Sequence, residues 1–363
     1  MQKNNLKKSC TPLAIDMGRD SRLLDHIAPI SALLDIPLLL TDEANYELAQ
    51  KYYPKTKTRY VDHAEFTLFD LAKEYDLFLQ CTFWNQEMTS FFKGLYPHLR
   101  FAYCPHGNSD KGHQKPMMEE ILRQDIVFLY GEHMIERLKK QNLWEKIPPH
   151  ALTGNYRHAF YRSNQAFYDD LAQKEVFSKL NPDNPTILYA PTWNDEESST
   201  SFYAVCKQLL SQLPKHYNLI LKIHPLLEDM DPAAYYAALP AETDRDNFLL
   251  LKDFPTIFPL LAETDIYLGD TSSIGYDFLY FQKPMFFFNP FAELQQNHPS
   301  LFLYQCGLAV TGEDIFGFIE KNLSYFDSAA QNRQKKIAAF AFGKEKPAQE
   351  LKADLLRAYT KTF

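Results

Sequence analysis

From Thr11 to about Phe288 the chain alternates short apolar runs with stretches of helical spacing, and few architectures accept that pattern. Runs too short to be buried helices, each followed by a segment of period 3.6, specify parallel strands joined by helical crossovers, an α/β fold. In the first half the strand-like runs are 13–16, 36–40, 77–81, 101–104 and 126–130, with helical spacing over 64–75, 86–96 and 131–141. A second series follows at 185–190, 218–223, 248–251, 265–268 and 285–288, with helical spacing over 202–213, 232–239, 255–262 and 272–281. The stretch after Arg157 reads as a polar link, and the end of the chain, 313–325 and 328–360, reads as wholly helical and amphipathic. Two Rossmann-like halves with parallel sheets are expected, 1–155 and 156–330, with a helical tail over 331–363.

Length and composition agree. With about 100–200 residues per domain, 363 residues suggest two domains, and 45% hydrophobic content supplies a core for each. The formal charge of −8 argues against a broad nucleic-acid footprint. No apolar run approaches the roughly 20 residues of a membrane span, and the basic start, Met1 to Cys10, lacks the apolar core of a secretion signal. Five scattered cysteines without C-x-x-C spacing fit reduced thiols better than disulfides or a zinc site. A soluble cytoplasmic protein is the expectation.

Open parallel sheets bind ligands beyond the carboxyl ends of their strands, and polar residues collect there in this chain. The segment Ile266–Leu279 reads as a short buried strand, then Asp270, Thr271, Ser272 and Ser273, then a helix. Those four residues can cap that helix, whose first amides and dipole would suit a phosphate, although an ordinary capped βαβ unit has the same appearance. His106, between Pro105 and Gly107 at a strand end, is placed to act as a general base, or as a turn histidine bonded to a carbonyl. His113 reads as a solvated loop residue. Arg157 offers a planar fork for phosphate oxygens, with a surface salt bridge as the alternative. Thr192 could donate to a phosphate, and Trp193 could pack under a base or serve as structural packing. Lys222 and His224 share one face at the end of 218–223. P-loop, G-x-S-x-G and H-E-x-x-H patterns are missing, as is a D-x-D motif near a strand end, and Asp16-Met-Gly-Arg-Asp20 replaces a glycine-rich dinucleotide turn. That combination favours a transferase that neutralises phosphate without a metal motif.

Taken in order, Cys104-Pro-His-Gly107, Gly154-Asn-Tyr-Arg157, Ala190-Pro-Thr-Trp193, Lys222-Ile-His-Pro225 and Gly269-Asp-Thr-Ser-Ser273 resemble the motifs of CDP-glycerol glycerophosphotransferases, the teichoic-acid primases and polymerases of GT-B fold. The resemblance covers roughly residues 100–290. It implies an acceptor domain over 1–155, a nucleotide-donor domain over 156–330 and a cleft between them. It also implies His106 as the base, His224 as a phosphate partner, and Asp270, Ser272 and Ser273 at the donor phosphates. Arg157, Thr192, Lys222 and Thr271 join the donor side, with Asn108, Ser109 and Lys111 on the acceptor side.

Three departures bear on substrate identity. Gly107-Asn-Ser-Asp-Lys111 stands where the family often has Gly-Thr-Pro-Leu-Lys, Asn194-Asp195 where Arg-Asp is common, and Gly269-Asp-Thr-Ser-Ser273 where Thr-Asp-Tyr-Ser-Ser is usual. The expected function is transfer of glycerol phosphate, or a related alditol phosphate, from a CDP-activated donor to a glycan or lipid-linked hydroxyl acceptor. CMP would be released and no metal required, by single addition more than polymerisation. A nucleotide-sugar glycosyltransferase and a non-catalytic nucleotide-binding relative remain the alternatives. Phe91, Phe92 and Tyr96 are read as core, with peripheral contact at the inner membrane face as the other reading.

Overall fold

The computed structural model describes residues 10–112, 118–239, 245–252, 254–291, 293–294 and 297–363; His113 lies outside them. Two sheets account for the apolar runs. In the first, β1 (Pro12–Asp16), β2 (Leu38–Leu40), β3 (Thr58–Tyr60), β4 (Leu77–Gln80), β5 (Arg100–Tyr103), β6 (Ile126–Leu129) and β7 (His150–Leu152) lie in the order β3-β2-β1-β4-β5-β6-β7, every pair parallel. In the second, β8 (Thr186–Tyr189), β9 (Asn218–Lys222), β10 (Phe248–Leu251), β11 (Ile266–Gly269), β12 (Met285–Phe287) and β13 (Leu308–Ala309) lie in the order β10-β9-β8-β11-β12-β13, again all parallel. Helices cover sheets of this kind on both faces, so the central strands are buried from end to end, as β4, β6, β8 and β11 are. Each sheet reverses direction once, between β1 and β4 in the first and between β8 and β11 in the second, and those reversals are where such folds place ligands.

The strands that the apolar pattern does not reveal, β3, β7 and β13, are all edges. Of β7 only Ala151 is buried, and no residue of β3 is, so neither carries an apolar run. The helix Leu24–Leu34 carries Pro29 in its interior, which breaks the helical signal, and it ends on Asp35 in the left-handed region. The polar stretch after Arg157 is not a link but two helices, Tyr156–Ser163 and Gln165–Glu175.

The chain divides into two compact units. The first takes 10–106, 118–160 and 342–363 of the described residues, and the second takes 107–112 and those within 161–341. The helical end is therefore divided too. Ser328–Phe342 ends at Gly343, whose φ of +67° suits glycine, and Ala348–Thr360 packs on β7 and on Leu24–Leu34 in the first unit. Arg100 fixes that return: its Nε donates to Thr362 Oγ1 at 2.9 Å and its guanidinium lies 3.9 Å over the Phe363 ring. All five cysteines are free thiols. Among the described residues no helix is long and apolar enough to cross a membrane.

Candidate functional site

In the first unit the site grows from the end of β5. After Cys104 the chain turns at Pro105 and presents His106, which is exposed. Its Nδ1 lies 2.7 Å from the Cys81 carbonyl. A carbonyl can only accept, so the proton sits on Nδ1 and Nε2 is the basic nitrogen. Tyr130 donates to the Pro105 carbonyl at 2.8 Å and holds the turn from below, and the His26 ring meets His106 edge-on at 6.3 Å. Burial, together with the charges of Arg157, His106 and Arg22, pushes the His26 pKa far down, so His26 supports its neighbour as a neutral ring.

Arg157 is not presented as a phosphate fork. It is 4% exposed, and its Nε and Nη2 donate to Asp25 Oδ2 at 3.1 and 2.5 Å. Tyr53 donates to the other oxygen of Asp25 at 3.0 Å, so a buried ion pair stands in place of the expected surface contact. The cause is the helix Tyr156–Ser163, which turns the side chain inward onto Leu24–Leu34.

In the second unit Asp270, fully buried, joins the loops that leave β8 and β11. It accepts from Thr192 N at 3.0 Å, from Ser201 N and Oγ at 2.9 Å and from Ser272 N at 3.1 Å. Burial pushes its pKa upward against those donors. Asp270 is thus the staple of the loop rather than a group offered to a donor. The following helix, Ile274–Phe278, has five residues, and its N-cap Ser273 makes no side-chain capping bond. The expected strong dipole site is therefore reduced to one short turn, because the last part of the segment, Leu279–Phe281, tightens to a 3-10 turn.

Thr192 is buried, and its hydroxyl is met by Lys111 Nζ. Lys111 also pairs with Asp195 Oδ2 at 3.0 Å and lies 5.6 Å from the Trp193 ring centre. Burial alone would raise Asp195, but the Lys111 charge and hydrogen bonds from Lys111 and Ser199 outweigh it and hold the carboxyl below its ordinary value. Gly112 N donates to Glu197 at 3.0 Å, Asp110 accepts from Tyr276 at 2.6 Å and from Leu303 N at 2.8 Å, and Asn108 donates to the Ala341 carbonyl at 3.2 Å. So the loop 107–112, expected on the acceptor side, is bound into the second unit, with Ser109 half-buried within it. Lys222 is likewise committed, donating to the Phe254 carbonyl at 2.8 Å, and Thr271 is buried, its hydroxyl turned to the Ser199 carbonyl.

Partly exposed side chains remain at these strand ends. His224 stacks on Trp193 with ring centres 6.2 Å apart, and its Nδ1 accepts from Leu226 N, which leaves the proton on Nε2. Ser273 is half-buried beside Gly107, where a Cβ would lie 2.6 Å from its hydroxyl. Ser272 is nearly buried, its amide held by Asp270. The two predicted histidines thus carry opposite tautomers, one with a basic Nε2 and one with an Nε2–H donor.

Asp16, Asp25, His26, Tyr130, Asp110 and Asp195 escape a reading of the sequence. Only Asp16, an acidic residue ending a first strand, leaves a local trace. Among the described residues no group of three or more His, Cys, Asp or Glu side chains is arranged to hold a metal ion.

Residues 159–306 match the family profile described as CDP-Glycerol:Poly(glycerophosphate) glycerophosphotransferase. The chain is 30% identical over 235 residues to the teichoic acid poly(glycerol phosphate) polymerase of Bacillus spizizenii, a match covering 60% of this chain and 56% of that protein. It is 29% identical over 144 residues to the teichoic acid glycerol-phosphate primase of Bacillus subtilis, covering 39% of this chain and 33% of the primase. The chain therefore spans little more than half of the first relative's length and a third of the second's. Among solved structures, the wall teichoic acid polymerase TagF superposes with a TM-score of 0.64 at 15% identity, covering 98% of this chain and 91% of that one. The S. aureus MnaA–UDP co-structure gives 0.57 at 15% identity, covering 98% of each. Both are likenesses of fold, two Rossmann-like units of GT-B type.

Proposed function

We propose that the chain is a member of the CDP-glycerol:poly(glycerophosphate) glycerophosphotransferase family, whose profile matches residues 159–306, and that it transfers glycerol phosphate from CDP-glycerol to a hydroxyl acceptor of a cell-envelope polymer, releasing CMP. The observation that carries this reading is the pair of histidine tautomers. His106, with Nδ1–H bonded to Cys81, takes the acceptor's proton on Nε2. The acceptor oxygen bonds to the phosphorus that bears glycerol, the bond from that phosphorus to the bridging oxygen breaks, and CMP departs with the bridging oxygen. His224 Nε2–H and the Ser273 hydroxyl donate to donor phosphate oxygens, and Trp193 backs His224. Asp270, Thr192 and Lys111 set the loops in which those donors stand. Phosphoryl transfer rests mainly on positioning and charge stabilisation, so a misplaced loop costs rate even where no ligand is touched.

The proposed acceptor is a glycan or lipid-linked hydroxyl at the cytoplasmic face of the membrane. Replacing His106 by alanine tests the assignment. Turnover should fall by about 10²–10⁴-fold, the range for a lost general base, while CDP binding measured by calorimetry stays within twofold. Wild-type turnover in that variant would remove His106 from the mechanism, and release of CDP in place of CMP would change the reaction to glycosyl transfer.

A further inference from the structure

One buried acid takes no part in that mechanism. Asp16 ends β1 at the reversal between β1 and β4, and it lines a cavity of about 90 Å³ closed by Met17, Leu23, Gln80, Cys81 and Thr82. Asp16 is 6% exposed. Its Oδ1 receives only the Gly18 amide, at 3.2 Å, and its buried Oδ2 has no hydrogen-bond partner among the described residues. The cations nearby are engaged elsewhere, Arg22 with Asp20 and Arg19 with Asp42. An orphaned carboxyl oxygen of this kind costs stability and calls for an explanation, of which a functional site is one.

The surroundings select the ligand class. Asp20 and Asp42 are the charges that act on Asp16, and the cations beside them, Arg22 and Arg19, are already paired with those acids, so a phosphate would face the Asp16 carboxylate without a cation to spare. A hydroxyl meets no such barrier: it donates to a carboxylate, or accepts from the acid form. Gln80 adds an amide that both donates and accepts, and Leu23 and Ile27 supply an apolar wall for carbon. The volume takes a short polyol fragment and not a nucleotide. Cys81 lines the same cavity and its carbonyl holds His106 Nδ1, so the base is tied to one wall. Burial keeps the Cys81 thiol neutral, adding no further charge.

We propose that this cavity is a polyol site, in which Asp16 holds the terminal hydroxyls of the acceptor for His106 and so sets acceptor specificity. This rests on the transferase reading above. Glycerol is the probe, with saturation-transfer NMR on the full chain reading its binding and calorimetry with CDP reading the donor side separately. Expected results are glycerol binding in the wild type, at least tenfold weaker binding in Asp16→Leu, partial retention in Asp16→Asn, and unchanged CDP affinity in both. Thr82→Phe, at an exposed position on the cavity rim, should block glycerol equally and does not depend on the buried variant folding. Absence of glycerol binding in the wild type, or binding in Asp16→Leu and Thr82→Phe as strong as in the wild type, overturns the proposal even if CDP binds. Absence of CDP binding with Asp16-dependent glycerol binding would leave the polyol site standing and remove the transferase reading instead.

Discussion

Arg157→Met separates a structural arginine from a substrate-binding one. Arg157 and Asp25 are almost wholly buried, and Asp25 takes both Nε and Nη2 of the guanidinium. Removing one partner leaves the Asp25 carboxylate with the Tyr53 hydroxyl but without its countercharge, and breaking a buried pair in this way costs about 3–5 kcal/mol. For a unit of this size each kcal/mol moves the melting temperature by about 2–4 °C, so a fall of roughly 6–20 °C is expected. Circular dichroism melts read the fall, and calorimetry at a temperature where the variant is folded should show CDP affinity unchanged. Asp25→Ala should cost a similar amount. The double variant Asp25→Leu, Arg157→Met should recover much of the loss, because replacing a buried pair with apolar groups of similar volume is often neutral. An unchanged melt with a tenfold loss of CDP affinity would refute this account and return Arg157 to the donor phosphates.

Two further outcomes are expected. Gly107 has φ of +137°, and a Cβ there would lie 2.6 Å from Ser273 Oγ and 2.8 Å from its Cβ. Gly107→Ala should therefore cost about 1–3 kcal/mol in strain, read as a lower melting temperature, and should raise KM for the donor by displacing Ser273. Burial, with Asp20 and Asp42 adding to it, pushes the Asp16 carboxyl from its ordinary 3.8 to about 7. Between those values the folded state holds a proton that the unfolded state has released, so stability should fall as pH rises from 4 to 7 and level off above. At about 1.4 kcal/mol per pH unit the full effect is on the order of 4 kcal/mol. Melts of Asp16→Asn and wild type should differ little at pH 4 and most at pH 8, and a constant difference would show that Asp16 does not titrate there.

Most of the framework was legible in the sequence because it is local. The continuous apolar runs of β4, β6, β8 and β11 can only be strands covered on both faces, and the polar residues after β5, β9 and β11 fall where a parallel sheet places its ligands. His106, His224 and the Asp270–Ser273 turn were found on those grounds, and the family resemblance rested on the same short motifs. Edge strands β3 and β7 were hidden because an edge needs no apolar run. The two helices after Arg157 were hidden by their polar surface.

What each side chain faces was not legible. Arg157 and Thr192 have the chemistry of phosphate ligands, yet both are held inside by partners distant in sequence, Asp25 at 132 residues and Asp270 at 78. Lys111 meets Thr192 across 81 residues, Tyr276 meets Asp110 across 166, and the last helix returns to β7 in the first unit. Sequence determined which segments form strands and where polar groups gather, since hydrophobic periodicity and strand ends are properties of neighbours along the chain. Tertiary structure alone decided which of those groups are consumed as staples, which ring nitrogen of His106 and of His224 bonds to the backbone, and that Asp16 is buried with an oxygen that has no hydrogen-bond partner among the described residues. Desolvation and pairing depend on what the fold brings together from far apart in the chain.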